Sequence, residues 1–361
     1  MSNQFCKNLS NGYKINVEGD QLLWSPCCFY KTNTPLADRE RLEKEMAYTS
    51  AATDWLPECY ICQIIEDSDK NNKSPRLKSF TAIRNDYPGN ECASLEISFD
   101  RKCNAACLSC GAYCSSTWAK YDVKHELAKQ LYRLPSSDDL FTRLIDAVPL
   151  DKLENINVMG GEPFYSDTNL KFLQHLNDVH PDLKKVTLRY QTNGSVTPSK
   201  EVLDFWDKFK SVRLNFSVDG VGDRFEYLRW PLKWHRVNRN LTYLLDNTNV
   251  TFTVSCTISP LNALYFQEIE DWFNHAVPAH RRGNALASRC TTPLDLAKSS
   301  MSLRDAVVKQ YGESHSVSKM IQSMHVDTDY QSLFDYVEKH DKIRRLNWRE
   351  TFPDVARHYD L

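Results

Sequence analysis

Cysteine is the residue type best placed to do chemistry in this chain, and three cysteines stand in one short stretch. Cys103, Cys107 and Cys110 are spaced four and then three residues apart, after the strand-like run 94–99. A structural zinc site takes four protein ligands, whereas three thiolates on a cubane iron–sulfur cluster leave one iron open. The count therefore favours a cluster that binds a further molecule. A zinc loop completed by Cys114 is the alternative.

The distribution of cysteines along the chain also indicates ligands. Ten of the 12 cysteines lie before residue 115. A buried thiol is a small hydrophobic group that any part of a core can use, so core cysteines have no reason to cluster. The start of the chain lacks the residue order of a signal peptide, which predicts a cytoplasmic protein without disulfides.

Alternating β-rich and amphipathic segments must position the cysteine loop. After residues 94–99, the predicted strands are 153–159, 185–191, 211–218, 250–258 and 284–290, and the predicted helices are 168–179, 199–210, 235–246 and 265–275. Strand and helix in alternation predict a parallel α/β sheet that curls into a barrel. In such folds the chemistry lies at the carboxyl ends of the strands.

Glycine and short polar residues follow three of these strands. Two glycines after the second strand let the backbone approach a ligand, and the glutamate beside them can accept a hydrogen bond from an ammonium group. Asn-Gly and Asp-Gly pairs after the next two strands offer short hydrogen-bonding groups, although simple turn formation also explains them. The candidate residues are Gly160, Gly161, Glu162, Pro163, Asn193, Ser217 and Asp219.

The Cys-x3-Cys-x2-Cys loop after the first strand, followed by Gly-Gly-Glu-Pro after the second, resembles the radical S-adenosylmethionine (radical SAM) superfamily. The resemblance implies a partial (β/α)6 TIM-like barrel with a 4Fe-4S cluster on Cys103, Cys107 and Cys110. S-adenosylmethionine would bind the open iron. Reductive cleavage would then give a 5′-deoxyadenosyl radical that abstracts a hydrogen atom from a substrate.

The same resemblance implies roles for the strand-end residues. The run 160–163 would bind the methionyl amino group, and Asn193, Ser217 and Asp219 would face the ribose and the carboxylate. A cation is expected near that carboxylate, and Arg229 is the first choice ahead of two arginines further along the chain. The position before the third cysteine, often aromatic in the superfamily, is Ser109.

Residues 1–90 carry a second group of cysteines around a hairpin-like stretch, 12–24. This arrangement resembles the auxiliary-cluster module called a twitch or SPASM-like domain, and implies a second, auxiliary 4Fe-4S cluster. Neighbouring residues of a strand point to opposite faces, so Cys27 and Cys28 are not expected to ligate together, and the family pattern favours Cys27. A structural zinc site is the alternative. The candidate ligands are Cys6, Cys27 or Cys28, Cys59 and Cys62.

The predicted organisation has three parts. Residues 1–90 form the small cysteine-rich iron–sulfur module, residues 91–290 the radical SAM partial barrel, and residues 291–361 a helical carboxyl-terminal extension. Trp348 and Phe352 in that extension are expected to be core anchors.

Charge and hydrophobicity restrict the partners. With 45 Lys and Arg against 47 Asp and Glu, the net charge of −2 gives no bulk positive field, which argues against a nucleic-acid partner. No apolar run approaches the roughly 18 residues that a membrane-spanning helix needs. A flavodoxin- or ferredoxin-type electron donor is implied by the resemblance.

A peptide or protein, modified by crosslinking, epimerisation or oxidation, is the leading substrate class, because relatives with auxiliary modules often act on such substrates. A nucleotide, sugar or other small metabolite is the alternative within the enzyme class. A non-catalytic metal-binding scaffold is the alternative outside it. Cys114, Cys256 and Cys290 are candidate hydrogen-atom donors to a substrate radical, or else small buried hydrophobic residues.

Overall fold

The computed structural model describes residues 11–18, 21–27, 30, 34–39, 59–60, 62–64, 83, 91–124, 137–291 and 293–359. Two of the candidate auxiliary ligands, Cys6 and Cys28, lie outside the described residues.

The described residues form a mixed α/β fold with nine strands. The strands are β1 (Gly12–Glu18), β2 (Gln21–Ser25), β3 (Thr34–Pro35), β4 (Ser94–Ser98), β5 (Asn155–Met159), β6 (Thr187–Thr192), β7 (Ser211–Ser217), β8 (Thr251–Ile258) and β9 (Arg282–Arg289).

Helices follow most of the strands from β4 onwards. They are α1 (Ser116–Lys124), α2 (Ser137–Ala147), α3 (Thr168–Val179), α4 (Lys200–Trp206), α5 (Asp223–Leu228), α6 (Trp234–Asn247), α7 (Phe266–Ala276), α8 (Met301–Tyr311), α9 (Ser316–Gln322), α10 (Tyr330–Arg344), α11 (Trp348–Thr351) and α12 (Pro353–Ala356). None of the helices in the described part of the chain is long and apolar enough to cross a membrane.

The chain divides into two compact units. The first comprises the described residues within Met1–Arg101, Arg133–Gln191 and Pro198–Arg213, and the second those within Lys102–Tyr132, Thr192–Thr197 and Leu214–Leu361.

In the first unit, the expected hairpin forms and extends a parallel sheet. β1 pairs with β2 in antiparallel register, and β2 pairs with β3. β1 also pairs in parallel with β4, which pairs with β5, which pairs with β6. Tyr13, Leu95, Val158 and Tyr190 are buried on these strands and build the core of the unit.

In the second unit, strand β8 shows why these segments form strands. Its side chains alternate between half-buried and buried, with Phe252, Val254, Cys256 and Ile258 on the buried face. A period of two matches the pleat of a strand. β8 lies between β7 and β9 and pairs with β9 in parallel register.

The predicted strands and helices agree with those observed to within a few residues, except at the end of α4. This helix begins after Ser199, whose hydroxyl accepts from the Val202 amide at 3.4 Å, but ends at Trp206 rather than at residue 210. The amides of Lys208 and Phe209 bond to carbonyls three residues back, which tightens the chain into a turn and buries Phe209.

The expected helical extension follows β9 as helices α8 to α12, and its two predicted anchors are buried. Trp348 is fully buried and stacks on Phe334, with ring centroids 4.6 Å apart. Phe352 is also fully buried and meets Tyr227 edge to face.

The substitution Trp348→Ala should lower the free energy of unfolding by about 3–5 kcal/mol, since it leaves a cavity against Phe334. Met301→Ala is the control, because Met301 is 56% exposed and its loss should cost no more than about 0.5 kcal/mol. Urea unfolding followed by fluorescence and circular dichroism measures both. Equal costs for the two variants would contradict the anchoring role.

Candidate functional site

The three predicted cluster ligands lie in the loop between β4 and α1. Cys103 is buried, while Cys107 and Cys110 are half-buried. None of the described cysteines is in a disulfide bond. The loop has no regular secondary structure, so other parts of the second unit must hold it.

The start of α1 holds the first part of the loop. The Cys103 amide donates to the Ser116 hydroxyl at 3.1 Å, and the Thr117 hydroxyl donates to the Cys103 carbonyl at 2.6 Å. The Ser115 hydroxyl donates to the Ala105 carbonyl. These hydroxyl groups satisfy backbone groups of the loop that would otherwise be buried without partners.

Residues 228–230, at the end of α5 and just after it, hydrogen-bond to the backbone in the middle of the loop, as a neighbouring strand would. The Ala106 amide donates to the Trp230 carbonyl and the Leu108 amide to the Leu228 carbonyl, each at 2.7 Å. Arg229 stands between these two bonds, and its Nη1 approaches the Cys107 sulfur at 3.9 Å. The structure therefore brings Arg229 to the central cysteine of the motif.

Arg229 forms a buried ion pair with Asp219. Its Nη2 lies 2.9 Å from Asp219 Oδ2, and the two side chains are only 11% and 3% exposed. The other Asp219 oxygen accepts from the Thr257 amide at 2.8 Å. Asp219, predicted to contact the cofactor, thus engages Arg229 and β8 and orients the arginine towards Cys107.

Burial and nearby charges shift the pKa values of Arg229 and Cys107 in opposite directions. Burial by itself would lower the pKa of the Arg229 guanidinium, but Asp219 and Cys107 outweigh it and raise that pKa. Burial raises the pKa of the Cys107 thiol to about 12, although Arg229 acts in the opposite direction. The positive charge of Arg229 would therefore stabilise a thiolate at Cys107.

Asn193 is tied to the beginning of the cysteine loop. Its Nδ2 donates to Asn104 Oδ1 at 2.9 Å, and Asn104 Nδ2 donates to the Ser195 hydroxyl at 2.9 Å. The Ser195 hydroxyl donates back to Asn193 Oδ1 at 2.7 Å. Ser217 ends β7, two residues before Asp219, and is half-buried.

In the first unit, the Gly-Gly-Glu-Pro run leaves β5 through a backbone shape that only glycine adopts readily. Gly160 and Gly161 have φ values of 77° and 32°. A Cβ at Gly160 would lie 1.5 Å from the Ser98 hydroxyl oxygen and 2.6 Å from its Cβ. Glu162 is buried, and Pro163 follows it. The close approach to β4 explains the first glycine without any ligand.

The three candidate hydrogen-atom donors lie in different surroundings. Cys256 is fully buried on β8, and its sulfur accepts from Asn262 Nδ2 at 3.6 Å. Burial and the charge of Asp219 raise the pKa of its thiol, while Arg229 acts in the opposite direction. Cys290 is buried after β9 and donates to the Thr291 carbonyl. Cys114 is exposed, and its thiol hydrogen-bonds Cys110 and raises the pKa of that residue.

The described cysteines near the amino end are Cys27, Cys59, Cys62 and Cys92. Cys27 and Cys59 are half-buried, and Cys62 is buried. Cys92 is fully buried and donates weakly to the Ser94 carbonyl at 3.9 Å. The auxiliary ligand set stays a prediction, because two of its candidates are outside the described residues.

Within the described ranges, no group of three His, Cys, Asp or Glu side chains could hold a single metal ion. A cubane cluster makes a different demand, since each thiolate binds a different iron and the sulfurs need not surround one point. Three thiols of one loop, held by hydrogen bonds and faced by the Arg229 cation, fit such a cluster. Cys103, Cys107 and Cys110 would hold it.

Sequence reasoning missed several residues that hold the loop. Asn104 and Trp118 lie in or just after the motif, and the Trp118 indole donates to the Cys107 carbonyl at 2.8 Å. Tyr336 and Arg344 lie more than 220 residues away and donate to the Leu108 and Ala106 carbonyls. Their spacing of eight residues places both on one face of a helix, which was the only signal in the sequence.

The substitution Gly160→Ala should destabilise the chain, because the new Cβ meets the Ser98 side chain and the positive φ adds strain. Gly312→Ala is a matched control, since Gly312 has φ of 80° but nothing within 4 Å of a Cβ. The control should cost about 1–3 kcal/mol, since φ of 80° and ψ of 159° at Gly312 suit only glycine, and Gly160→Ala should cost about 1–3 kcal/mol more. Urea unfolding measures the difference, and identical costs would contradict the close approach.

Part of this chain is similar to a known protein family. Residues 97–273 match the model of the Radical SAM superfamily. The matched range contains the three loop cysteines, the run 160–163 and the Asp219–Arg229 pair. The comparison with curated proteins gives no match.

Comparison with solved structures gives remote similarities. The structure of native anSMEcpe with bound AdoMet is 14% identical, has a TM-score of 0.41, and is aligned over 65% of this chain and 63% of that chain. Streptococcus suis SuiB is 13% identical, with a TM-score of 0.37 over 86% of this chain and 59% of that chain. SuiB bound to precursor peptide SuiA is 14% identical, with a TM-score of 0.37, over 88% of this chain and 63% of that chain.

These alignments span less than two thirds of each of the three solved chains. The cysteine loop, its arginine and the family match lie in the same stretch of sequence. From residue 97 to residue 273, just under half of the chain, the sequence is similar to the radical SAM superfamily.

Proposed function

We propose that this chain is a radical SAM enzyme that binds a 4Fe-4S cluster through Cys103, Cys107 and Cys110 and cleaves S-adenosylmethionine reductively. When bound, the cluster and its cofactor supply a 5′-deoxyadenosyl radical, which abstracts a hydrogen atom from a substrate. The observation that carries the proposal is the held cysteine loop, with the Arg229 cation at the Cys107 sulfur.

The cation matters because the loop must keep its cysteines as thiolates. Burial disfavours the charged form of Cys107, and Arg229 opposes that effect. Asp219 keeps Arg229 in place through the ion pair at 2.9 Å. We infer that Arg229 acts at the cluster ligands as well as being a candidate partner for the cofactor carboxylate.

The strand-end residues are proposed to bind the cofactor. The φ values of Gly160 and Gly161 support a backbone that approaches a neighbouring group closely. Glu162 carries the carboxylate that would accept from the methionyl ammonium. Asn193, tied to the loop through Asn104, and Ser217 would face the ribose and carboxylate.

An auxiliary 4Fe-4S cluster on Cys6, Cys27 or Cys28, Cys59 and Cys62 is part of the proposal. Four protein ligands would leave it no open iron, so its role would be electron transfer or support of the substrate wall. A flavodoxin- or ferredoxin-type protein would deliver the electron.

The proposed substrate is a peptide or protein, for which the net charge of −2 is a better match than for a polyanion. Cys114, Cys256 and Cys290 stay candidates for returning a hydrogen atom to a substrate radical, and Cys256 is the one influenced most directly by the charges of Asp219 and Arg229.

Removal of one loop ligand tests the activity. In the anaerobically reconstituted, reduced protein with S-adenosylmethionine, Cys107→Ala should abolish formation of 5′-deoxyadenosine, because the cluster loses one of its three ligands. Chromatography with mass spectrometry measures the product. Cys92→Ala, a buried cysteine outside both ligand sets, is the control and should retain the product. If wild-type protein forms no 5′-deoxyadenosine with any reductant, a non-catalytic scaffold is favoured.

A second variant tests whether two clusters are present. Cys59→Ala should remove about half of the iron yet leave cleavage measurable, because each cluster would hold its own irons. Iron and zinc are quantified by mass spectrometry of the reconstituted protein. Loss of all iron in this variant, or zinc in place of iron, would contradict the auxiliary cluster.

A further inference from the structure

Helix α10 reaches the cysteine loop from the far end of the chain. The Tyr336 hydroxyl donates to the Leu108 carbonyl at 2.9 Å, and Arg344 Nη2 donates to the Ala106 carbonyl at 3.0 Å. The carbonyl between them, that of Cys107, accepts from the Trp118 indole at 2.8 Å. Three consecutive carbonyls around the central cysteine thus each receive a side-chain donor.

The opposite edge of the same three residues is held by the 228–230 segment, through the amides of Ala106 and Leu108. Helix α10 also contacts the helix that leads into this segment. The Tyr227 hydroxyl donates to Asp341 Oδ1 at 2.6 Å, and Asp341 Oδ2 accepts from the Trp348 amide. Helix α10 therefore contacts the carbonyls on either side of Cys107 and also the helix that precedes the 228–230 segment.

The charge of Arg344 is enclosed by aromatic rings. Arg344 is 8% exposed, and its guanidinium carbon lies 5.1–5.3 Å from the ring centroids of Trp118, Tyr121 and Trp230. His340, one turn earlier, bonds the Tyr121 hydroxyl at 2.8 Å. Such a partly desolvated cation is stabilised by the ring faces and keeps its direction towards the loop.

The spacing of the contacting residues explains how a single helix does this. Tyr336, His340 and Arg344 are four residues apart, which places them along one face of α10. The Arg344 guanidinium donates to the carbonyl of Ala106, the residue that directly precedes Cys107. A cation near a cluster ligand favours the reduced, more negative state of the cluster.

We propose that α10 is part of the cluster-binding machinery: Tyr336 and Arg344 are positioning residues for Cys107, and the Arg344 charge raises the reduction potential of the cluster. The second half of this inference rests on the proposed function, whereas the first half concerns the chain itself. Neither residue is required to touch the cofactor or the substrate.

Hydrogen–deuterium exchange of the 361-residue chain, measured without added iron, tests the positioning role. Tyr336→Phe removes one hydroxyl and keeps the ring, and Arg344→Met removes the donor to Ala106. Amide exchange across 103–110 should rise by about fivefold in each variant, as expected for the loss of one ordinary hydrogen bond. Tyr330→Phe and Lys342→Met, on the same helix, are the controls and should leave this exchange unchanged. Equal exchange in variants and controls would overturn the positioning role.

Redox titration of the reconstituted protein, followed by electron paramagnetic resonance, tests the charge. Arg344→Met should shift the midpoint potential of the cluster to a more negative value, while Lys342→Met should not. Arg344→Lys should restore the potential but not the slow exchange, because it keeps the charge and loses the planar guanidinium. An unchanged potential in Arg344→Met would overturn the electrostatic role.

The two measurements separate the failure of this inference from the failure of the proposed function. If the protein binds no iron, the proposed function fails, and the charge effect fails with it. The exchange measurement still decides whether α10 holds the loop.

Discussion

The backbone of residues 106–108 lies outside any helix or strand, and it carries Cys107, the central cysteine of the motif, between two buried residues. Buried amides and carbonyls have to be hydrogen-bonded, and here both outer amides and all three carbonyls find partners. The amides bond to the 228–230 segment, and the carbonyls bond to side chains of α1 and α10. The position of Cys107 depends on this arrangement.

The second constraint is that the charged side chains of Asp219 and Arg229 are buried next to this backbone. Asp219 and Arg229 are removed from water, and their ion pair offsets only part of the cost, because Arg229 Nε has no hydrogen-bond partner among the described residues. The Thr257 amide satisfies the second carboxylate oxygen. The ion pair therefore connects the end of β7, the strand β8 and the cysteine loop. Arg344, surrounded by aromatic rings, is a second positive charge near Cys107.

Local patterns predicted the regular elements well, because their periodicity is a property of neighbouring residues. Residues 168–179 were predicted as a helix and form α3, and residues 251–258 alternate along β8 as expected. The helix predicted at 199–210 ends at Trp206 instead, because a turn with hydrogen bonds to carbonyls three residues back replaces its last part. The parallel pairing of β1 with β4 has no local signal, because the two strands lie about 80 residues apart.

By itself the sequence determined which chemistry is possible here: three thiols at a spacing suited to one cluster, glycines that open β5 to close approach, and short polar residues after the strands. Only the tertiary structure decided which residues contact and hold these groups. It paired Asp219 with Arg229, turned that arginine to Cys107, and brought Tyr336 and Arg344 onto the loop. The reason is physical: residue type and spacing are local, whereas partners for buried charges and backbone groups come from distant parts of the chain.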